Sequence, residues 1–423
     1  MRSLDEIASG RPTQTHSRTE PVRLGEPAIL AGMDPISQLG RGLRAGLDSD
    51  TAFSSIVPPI YLGTNYAFPS LENEPDYGYS RSENPTRDLL GEAIATLEGG
   101  SQGVITSSGL SALNLCFTAL VPAGGRIIAP HDCYGGTWRL LNHLAERGNF
   151  TVDYVNETDP GALDEALARP TDLVLIETPS NPLLRIVDLQ PTVEKVHAAG
   201  ALALADNTFC SPMRQRPIEF GADIVAHSTT KFINGHSDVV GGAVVANNAE
   251  LGEKLAFWAN VLGLTAGAFD SWLVLRGLRT LDARVRVHDA NAAEIVDVLT
   301  RHSAVQAVYY PGLPDHPGHE IARRQQHGFG SMITFEVAGG FEGASAFCRG
   351  LQVFDIAESL GGIESLVAHP ATMTHASMTP EAQLAAGITP AMLRLSVGIE
   401  PAGDLVADIR AGLDRVLEVV QHG

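Results

Sequence analysis

Lys231 lies in AHSTTKFINGHSDVVGG, the stretch 226–242, directly after Ser228 and Thr230 hydroxyls and just before a glycine-bounded polar turn. The segments on either side, FGADIVAHS and GGAVVAN, carry the short apolar runs of buried strands, so this lysine occupies a connection between two core strands. Lysine is normally a surface residue. An amine pressed against a core loses hydration, its pKa falls, and it becomes able to condense with a carbonyl as a Schiff base. A lone loop lysine can equally snorkel to solvent, so the choice rests on partners elsewhere in the chain.

A lysine that holds an aldehyde cofactor needs a phosphate cradle, a partner for a ring nitrogen and a stacking group. Val104–Thr106 read as a short strand running into Ser107-Ser108-Gly109, and LSALNLCFTAL then reads as a helix. Free N–H groups and the dipole at such a helix start bind phosphate, and Ser228 and Thr230 offer hydroxyls to the same group. A serine there also serves as a plain cap. Asp206 closes the apolar run ALALADN, which places a carboxylate at the end of a parallel strand, where open α/β sheets bind ligands. Tyr134 in HDCYGG follows RIIAP, and Asn181 in ETPSNP follows DLVLI, so several strand ends bring polar or aromatic groups to one sheet edge.

The elements that must position these residues alternate. RIIAP, FTVDYV, DLVLIET, ALALADN, ADIVAHS and GAVVAN read as strands, with TWRLLNHLAERG and PTVEKVHAAG among the helices between them. That alternation predicts a mostly parallel sheet covered on both faces. Asn84 and Pro85 read as a helix start, and Gly99-Gly100 as its end. From Phe269 to His302 one long helical stretch marks a domain boundary, and AVQAVYY, SMITFEV, LQVFDI and MLRLSVGI follow as strands of a smaller C-terminal α/β domain. The division expected is 1–85 as an extension and arm, 86–290 as the large domain and 291–423 as the small one. Residues 1 to about 50 read as a mobile extension, with order beginning near Ser55.

The 423 residues carry 29 Lys+Arg against 49 Asp+Glu, a net charge of −20, which opposes binding to nucleic acid or an acidic membrane surface. The four cysteines show no CxxC pair and fit reduced thiols of a cytoplasmic protein. The opening segment does not read as a signal peptide, and no apolar run approaches membrane-spanning length. His316, His319 and Glu320 in DHPGHE read as a surface turn and not as a metal site, so no metal is expected.

YGYSRSENPTRDLL, SSGLSALN, APHDCYGGTWRL, ETPSNPLLR, ADNTF, HSTTKFINGHSDVVGG, AESLGGIESLVAHPATMTHASM and LRLSVGIE together resemble the signatures of the pyridoxal-phosphate enzymes of cysteine and methionine metabolism, over about residues 50 to 420. Within that family, APHDCYGG, FWANVLGLTAGAFDSWLVLRGLRTL, GHEIARRQQHGFGSM and PATMTHASMTPEAQLAAGI are more similar to the bacterial cystathionine γ-synthase branch than to the lyases. The resemblance implies a fold-type I pyridoxal-phosphate transferase with Lys231 as Schiff-base lysine, Asp206 as pyridinium partner and Tyr134 as stacking ring. It places Ser108, Gly109, Leu110, Ser228 and Thr230 around the phosphate and ring edge, and it implies that Tyr79 and Arg81 reach the phosphate of a neighbouring subunit in a homotetramer. Arg394 falls on the position that grips the substrate α-carboxylate, with Asn181 and Ser359 beside it. Arg139 and Glu358 fall on the distal substrate site, toward a succinyl carboxylate and an incoming amine.

The implied reaction is γ-replacement on an O-succinyl- or O-acetylhomoserine, with cysteine as the nucleophile. Alternatives on the same scaffold are γ-lyase, direct sulfhydrylation, or another nucleophile; Gly136 stands where methionine γ-lyases usually carry cysteine. A non-catalytic protein that keeps the fold is a rival of another class, and a nicotinamide-dependent oxidoreductase is disfavoured because no strand leads into a GxGxxG fingerprint. Three positions depart from the family pattern: Glu83 where glycine is usual, Leu110 for methionine, and Gly78 where some synthases are acidic.

Overall fold

The structure, a computed structural model, describes residues 36–47, 49–376 and 378–422. From Gln38 onward the chain forms one compact unit.

The larger sheet contains β1 (Gln102–Thr106), β2 (Gly125–Pro130), β3 (Phe150–Val155), β4 (Leu173–Glu177), β5 (Leu202–Asp206), β6 (Ile224–His227) and β7 (Gly242–Ala246), in the order β1-β7-β6-β5-β4-β2-β3. The run from β3 through β2, β4 and β5 to β6 is parallel, whereas β7 is antiparallel to both β6 and β1. The reason is local. The connection from β6 to β7 contains no crossover helix, so the chain re-enters the sheet from the edge it has just left. That connection carries Lys231.

Continuous apolar runs such as LVLIE in β4 and GAVVA in β7 are buried throughout, as strands covered on both faces must be. Alternate residues serve opposite faces. Val244 packs with the helices Gly109–Leu120, Gly135–Glu146 and Ala249–Leu262, while Val245 packs with Pro85–Glu98 and Ala268–Leu278. The helix Pro85–Glu98 starts as its sequence predicts: the Asn84 side chain accepts from the Thr86 and Arg87 amides, and Gly99 closes it with φ of 79°.

A second sheet follows, made of β8 (Val305–Tyr309), β9 (Met332–Val337), β10 (Asp355–Ile356), β11 (Leu366–Ala368) and β12 (Met392–Ser396), ordered β10-β11-β12-β9-β8. The fold is therefore α/β with a parallel-dominated large sheet and a smaller second sheet. Among the described residues no helix is long and apolar enough to cross a membrane.

Several local expectations are corrected. The stretch 269–302 is two helices, Ala268–Leu278 and Leu281–Arg301, because the Gly277 carbonyl at the break accepts from the Thr280 amide, the Thr280 hydroxyl and the Arg284 guanidinium. Only the last two residues of LQVFDI join a strand, since the Asp408 carboxylate takes the amides of Gln352, Val353 and Phe354 that a neighbouring strand would otherwise bind. Order begins before Ser55: a helix, Gln38–Leu43, packs on the helix Pro85–Glu98, with Gly42 against Leu97 and Gln38 Nε2 donating to the Thr96 carbonyl at 2.8 Å. It is too short to show a helical period. The remainder of the expected mobile extension, residues 1–35, lies outside the described residues.

Candidate active site

The carboxyl ends of β4, β5 and β6 open on a cavity of about 780 Å³ whose far wall comes from the second sheet and its loops. Lys231, Asp206, Tyr134, Ser108, Gly109, Leu110, Ser228, Thr230, Arg394, Asn181, Ser359, Glu358 and Arg139 all line it. These residues come from separate strand ends and are united only by the sheet.

The Lys231 Nζ donates to Ser359 Oγ at 2.8 Å. Burial, then the neighbouring Arg394 cation, lowers the amine to about 8, against an upward pull from Glu358. Ser359 has φ of 98°, a conformation that strains a residue with a side chain, so the surrounding chain holds this hydroxyl where it is. Asp206 is half-buried at the end of β5, and its Oδ1 accepts the Thr208 amide at 3.0 Å. Burial raises its carboxyl, opposed first by hydrogen bonds from Thr208 and then by His227.

The Ser108 side chain is the N-cap of Gly109–Leu120, accepting the Ser111 amide at 3.0 Å, which leaves the Gly109 and Leu110 amides without an intrahelical acceptor. Gly109 approaches Ser228 so closely that an added Cβ would lie 2.7 Å from the Ser228 Cβ. The Ser228 amide is fixed by Thr208 Oγ1 at 2.9 Å, and the Thr230 hydroxyl is shared with the backbone of Gly241. Tyr134 is 42% exposed, and its amide donates to Glu177 Oε2 at 3.0 Å. Its ring lies over Gly136, where a Cβ would meet Cε1 at 2.5 Å.

Arg394, on β12, is buried; its two terminal nitrogens donate to Asn181 Oδ1 at 2.8 Å and the Ser359 carbonyl at 3.0 Å. Burial lowers the guanidinium to about 10, and its Nε is buried with no partner among the described residues. A buried cation with an open donor is a site for an anion.

Tyr79 and Arg81 are elsewhere. The Arg81 guanidinium lies 5.4 Å from the Tyr79 ring centroid and donates from Nε to Asn260 Oδ1 at 2.9 Å. Arg81 lines a separate cavity of about 860 Å³ together with Glu83 and Phe257. Within one chain, neither residue meets Lys231.

Glu177, Thr208, Phe209, Val240, Met373 and Thr374 also line the Lys231 cavity and were not anticipated. Glu177 carried the same signal as Asp206, a carboxylate ending an apolar run. Burial, then the nearby Asp206, holds it well above the usual carboxylate range. Met373 and Thr374 come from a loop of the second sheet, with no sequence mark of what they face.

These residues fit pyridoxal phosphate. The Gly109–Ser228 approach with two open amides is shaped and charged for a phosphate, and the desolvated Lys231 amine and the Asp206 carboxylate stand on the same cavity. Fold and cavity thus define the class of α/β, fold-type I enzymes that carry this cofactor on a lysine. The family model for Cys/Met metabolism PLP-dependent enzymes matches residues 41–414, and the chain belongs to that family. Pyridoxal phosphate is its cofactor. Cystathionine gamma-synthase of Escherichia coli (strain K12) is 49% identical over 370 residues, 88% of this chain and 96% of that protein. Cystathionine beta-lyase of Lactococcus lactis subsp. cremoris (strain MG1363) is 44% identical over 373 residues, 88% of this chain and 98% of that protein. The crystal structure of cystathionine gamma synthase from Xanthomonas oryzae pv. oryzae in complex with aminoacrylate and cysteine matches with a TM-score of 0.90 at 56% identity, covering 91% of this chain and 100% of that one.

Proposed function

We propose that the chain is a cystathionine γ-synthase, exchanging the γ-acyloxy group of O-succinyl- or O-acetylhomoserine for the sulfur of L-cysteine, with cystathionine and the free carboxylic acid as products. The observation that carries this reading is one cavity holding a depressed lysine amine, a buried arginine with an open Nε, and a second arginine and a glutamate, Arg139 and Glu358. A substrate with an α-carboxylate at one end and an acyl group at the other matches that charge arrangement, and likeness to the two synthases supports it.

When bound, pyridoxal phosphate supplies an aldehyde that captures amines and a ring that accepts electron pairs. The chain's residues do the rest. Gly109, Leu110, Ser228 and Thr230 would hold the phosphate, Asp206 would keep the ring nitrogen protonated, and Tyr134 would cover the ring face. Arg394 and Asn181 grip the α-carboxylate and so orient the Cα–H bond toward Lys231. An amine lowered to about 8 is neutral in roughly a tenth of molecules at pH 7, against less than about one in a thousand for an ordinary lysine, so Lys231 can take the Cα proton and return it. Its tether to Ser359 Oγ limits the amine's wandering. The acyloxy group leaves Cγ as a carboxylate, Arg139 receives the distal carboxylate of a succinyl group, and the cysteine thiolate enters at Cγ with its amine toward Glu358.

The assembly is proposed as a homotetramer in the cytoplasm, in which Tyr79 and Arg81 of one subunit complete the phosphate site of the next. Residues 1–85 form the arm that makes this contact, 86–290 the cofactor domain and 291–423 the small domain. Neither nucleic acid nor membrane is a partner at this charge.

Steady-state assays with O-succinyl- and O-acetylhomoserine, each with cysteine, with sulfide and alone, test the reading. Cystathionine is the expected main product when cysteine is present. 2-Oxobutyrate as the sole product under every condition would overturn it in favour of a lyase, the activity named for the Lactococcus relative.

A further inference from the structure

At the floor of the cavity, which His227 also borders, a carboxyl and an imidazole are buried together on the other face of the larger sheet. Glu98, the last residue of the helix Pro85–Glu98, is 0% exposed, and His227, the last residue of β6, is 1% exposed. His227 Nε2 and Glu98 Oε1 are 2.6 Å apart. The same Oε1 accepts from Asn207 Nδ2 at 2.8 Å, and that nitrogen also donates to the Gln215 carbonyl at 2.7 Å.

Nothing in the proposed chemistry uses these side chains, and as a stability device they are poor. Glu98 Oε2 and His227 Nδ1 are both buried without a partner among the described residues, and a buried carboxyl and imidazole must each give up hydration that an apolar pair would not. Their position explains their presence. Asn207 follows Asp206 directly, and His227 follows Ala226, whose Cα is the register partner of Asp206. Successive residues of a strand point to opposite faces, so the pair braces from below the strand ends that present Asp206 above. His227 is also among the groups that act on the Asp206 carboxyl, favouring its charged form against burial.

We propose that Glu98 and His227 are positioning residues that set the charge and aim of Asp206, and through Asp206 the strength with which the protein holds the ring nitrogen of pyridoxal phosphate. The inference rests on the reading that Asp206 faces that nitrogen. The Glu98 oxygen fixes the His227 imidazole beneath the strand end that presents Asp206, and the Asn207 side chain, one residue on from Asp206, donates to the same Glu98 oxygen.

The test strips full-length holoenzymes of cofactor and re-titrates them with pyridoxal phosphate and with its carbocyclic analogue, in which the ring nitrogen is replaced by C–H. Binding is followed by the absorbance of the lysine adduct. The readout is the ratio of the two dissociation constants, which cancels changes in general site geometry. In Glu98→Gln and in His227→Asn the preference for the nitrogen-containing ring is expected to fall by roughly tenfold, on the scale of one unit of carboxylate pKa, and the double variant to fall no further. Asp206→Asn calibrates the experiment. If it lowers the ratio while both single variants keep the wild-type value and lose only thermal stability, the pair is structural and the proposal is wrong. If Asp206→Asn leaves the ratio unchanged, the reading of Asp206 itself fails. Recovery of neither single variant as folded protein would assign the pair to folding and also overturn the proposal.

Discussion

At the scale of single residues, the cavity turns ordinary side chains into unusual ones by desolvation and by their neighbours. Lys231 is lowered to about 8 by burial and then by Arg394, with Glu358 pulling the other way. The neutral amine is the form that captures an aldehyde. The rate at which cofactor-free protein combines with pyridoxal phosphate is therefore expected to rise with pH through about 8 and then level, measured by stopped-flow absorbance. The signs for the neighbours follow. Arg394→Gln removes a cation that opposes a second positive charge, so the curve moves to higher pH, and Glu358→Gln removes an anion that favours it, so the curve moves lower. A midpoint at the ordinary lysine value of about 10.4 in the unaltered protein would contradict this account.

At the scale of elements, the loop that carries Lys231 is docked on the helix Leu281–Arg301. Arg284 donates from that helix to the carbonyls of Phe232 at 2.8 Å and Ile233 at 3.2 Å, and it reaches back to Gly277 at 2.9 Å. Gly235 completes the seat. Its φ is 71°, and a Cβ there would lie 2.0 Å from an Arg284 nitrogen. Gly235→Ala thus adds a left-handed backbone penalty to the displacement of a buried guanidinium whose hydrogen bonds have no water to replace them. The expected result is a loss of about 2–4 kcal/mol in stability, read by denaturant titration, together with a lower cofactor content in the purified protein. Unchanged stability and full cofactor content would mean that the loop is held by other contacts. The apolar strand runs and the Asn84 cap were visible in the sequence because they obey local rules of period and capping. The split at 279–280 was not, because Thr280 and Arg284 bind the Gly277 carbonyl through side chains, which a hydrophobic period does not reveal, and the shortness of β10 was not, because Asp408, more than fifty residues away, satisfies the backbone there.

At the scale of the whole molecule, one chain holds most of a site. Tyr79 and Arg81 lie away from Lys231, on a half-exposed surface beside Asn260 and Phe257. Sharing between subunits makes a definite prediction. Lys231→Ala and Arg81→Ala proteins, each inactive or weak alone, regain about a quarter of wild-type activity when their subunits are mixed at equal amounts and allowed to exchange, because half the sites in each mixed pair are intact. No recovery after exchange would place Arg81 outside the neighbour's site. The chain's sequence by itself determined the residue types and their local settings: a lysine between core strands, carboxylates and an asparagine at strand ends, a capped helix start for a phosphate. Those follow from short-range rules, hydrophobic period, capping and turn chemistry, which act within a few residues. Only the tertiary structure decided that Arg394, Glu358 and Ser359 from the second sheet face Lys231, that Glu177 and Met373 join them, and that Glu98 meets His227 beneath Asp206. Contacts across more than a hundred residues depend on how two sheets pack, and packing leaves no local pattern in the chain.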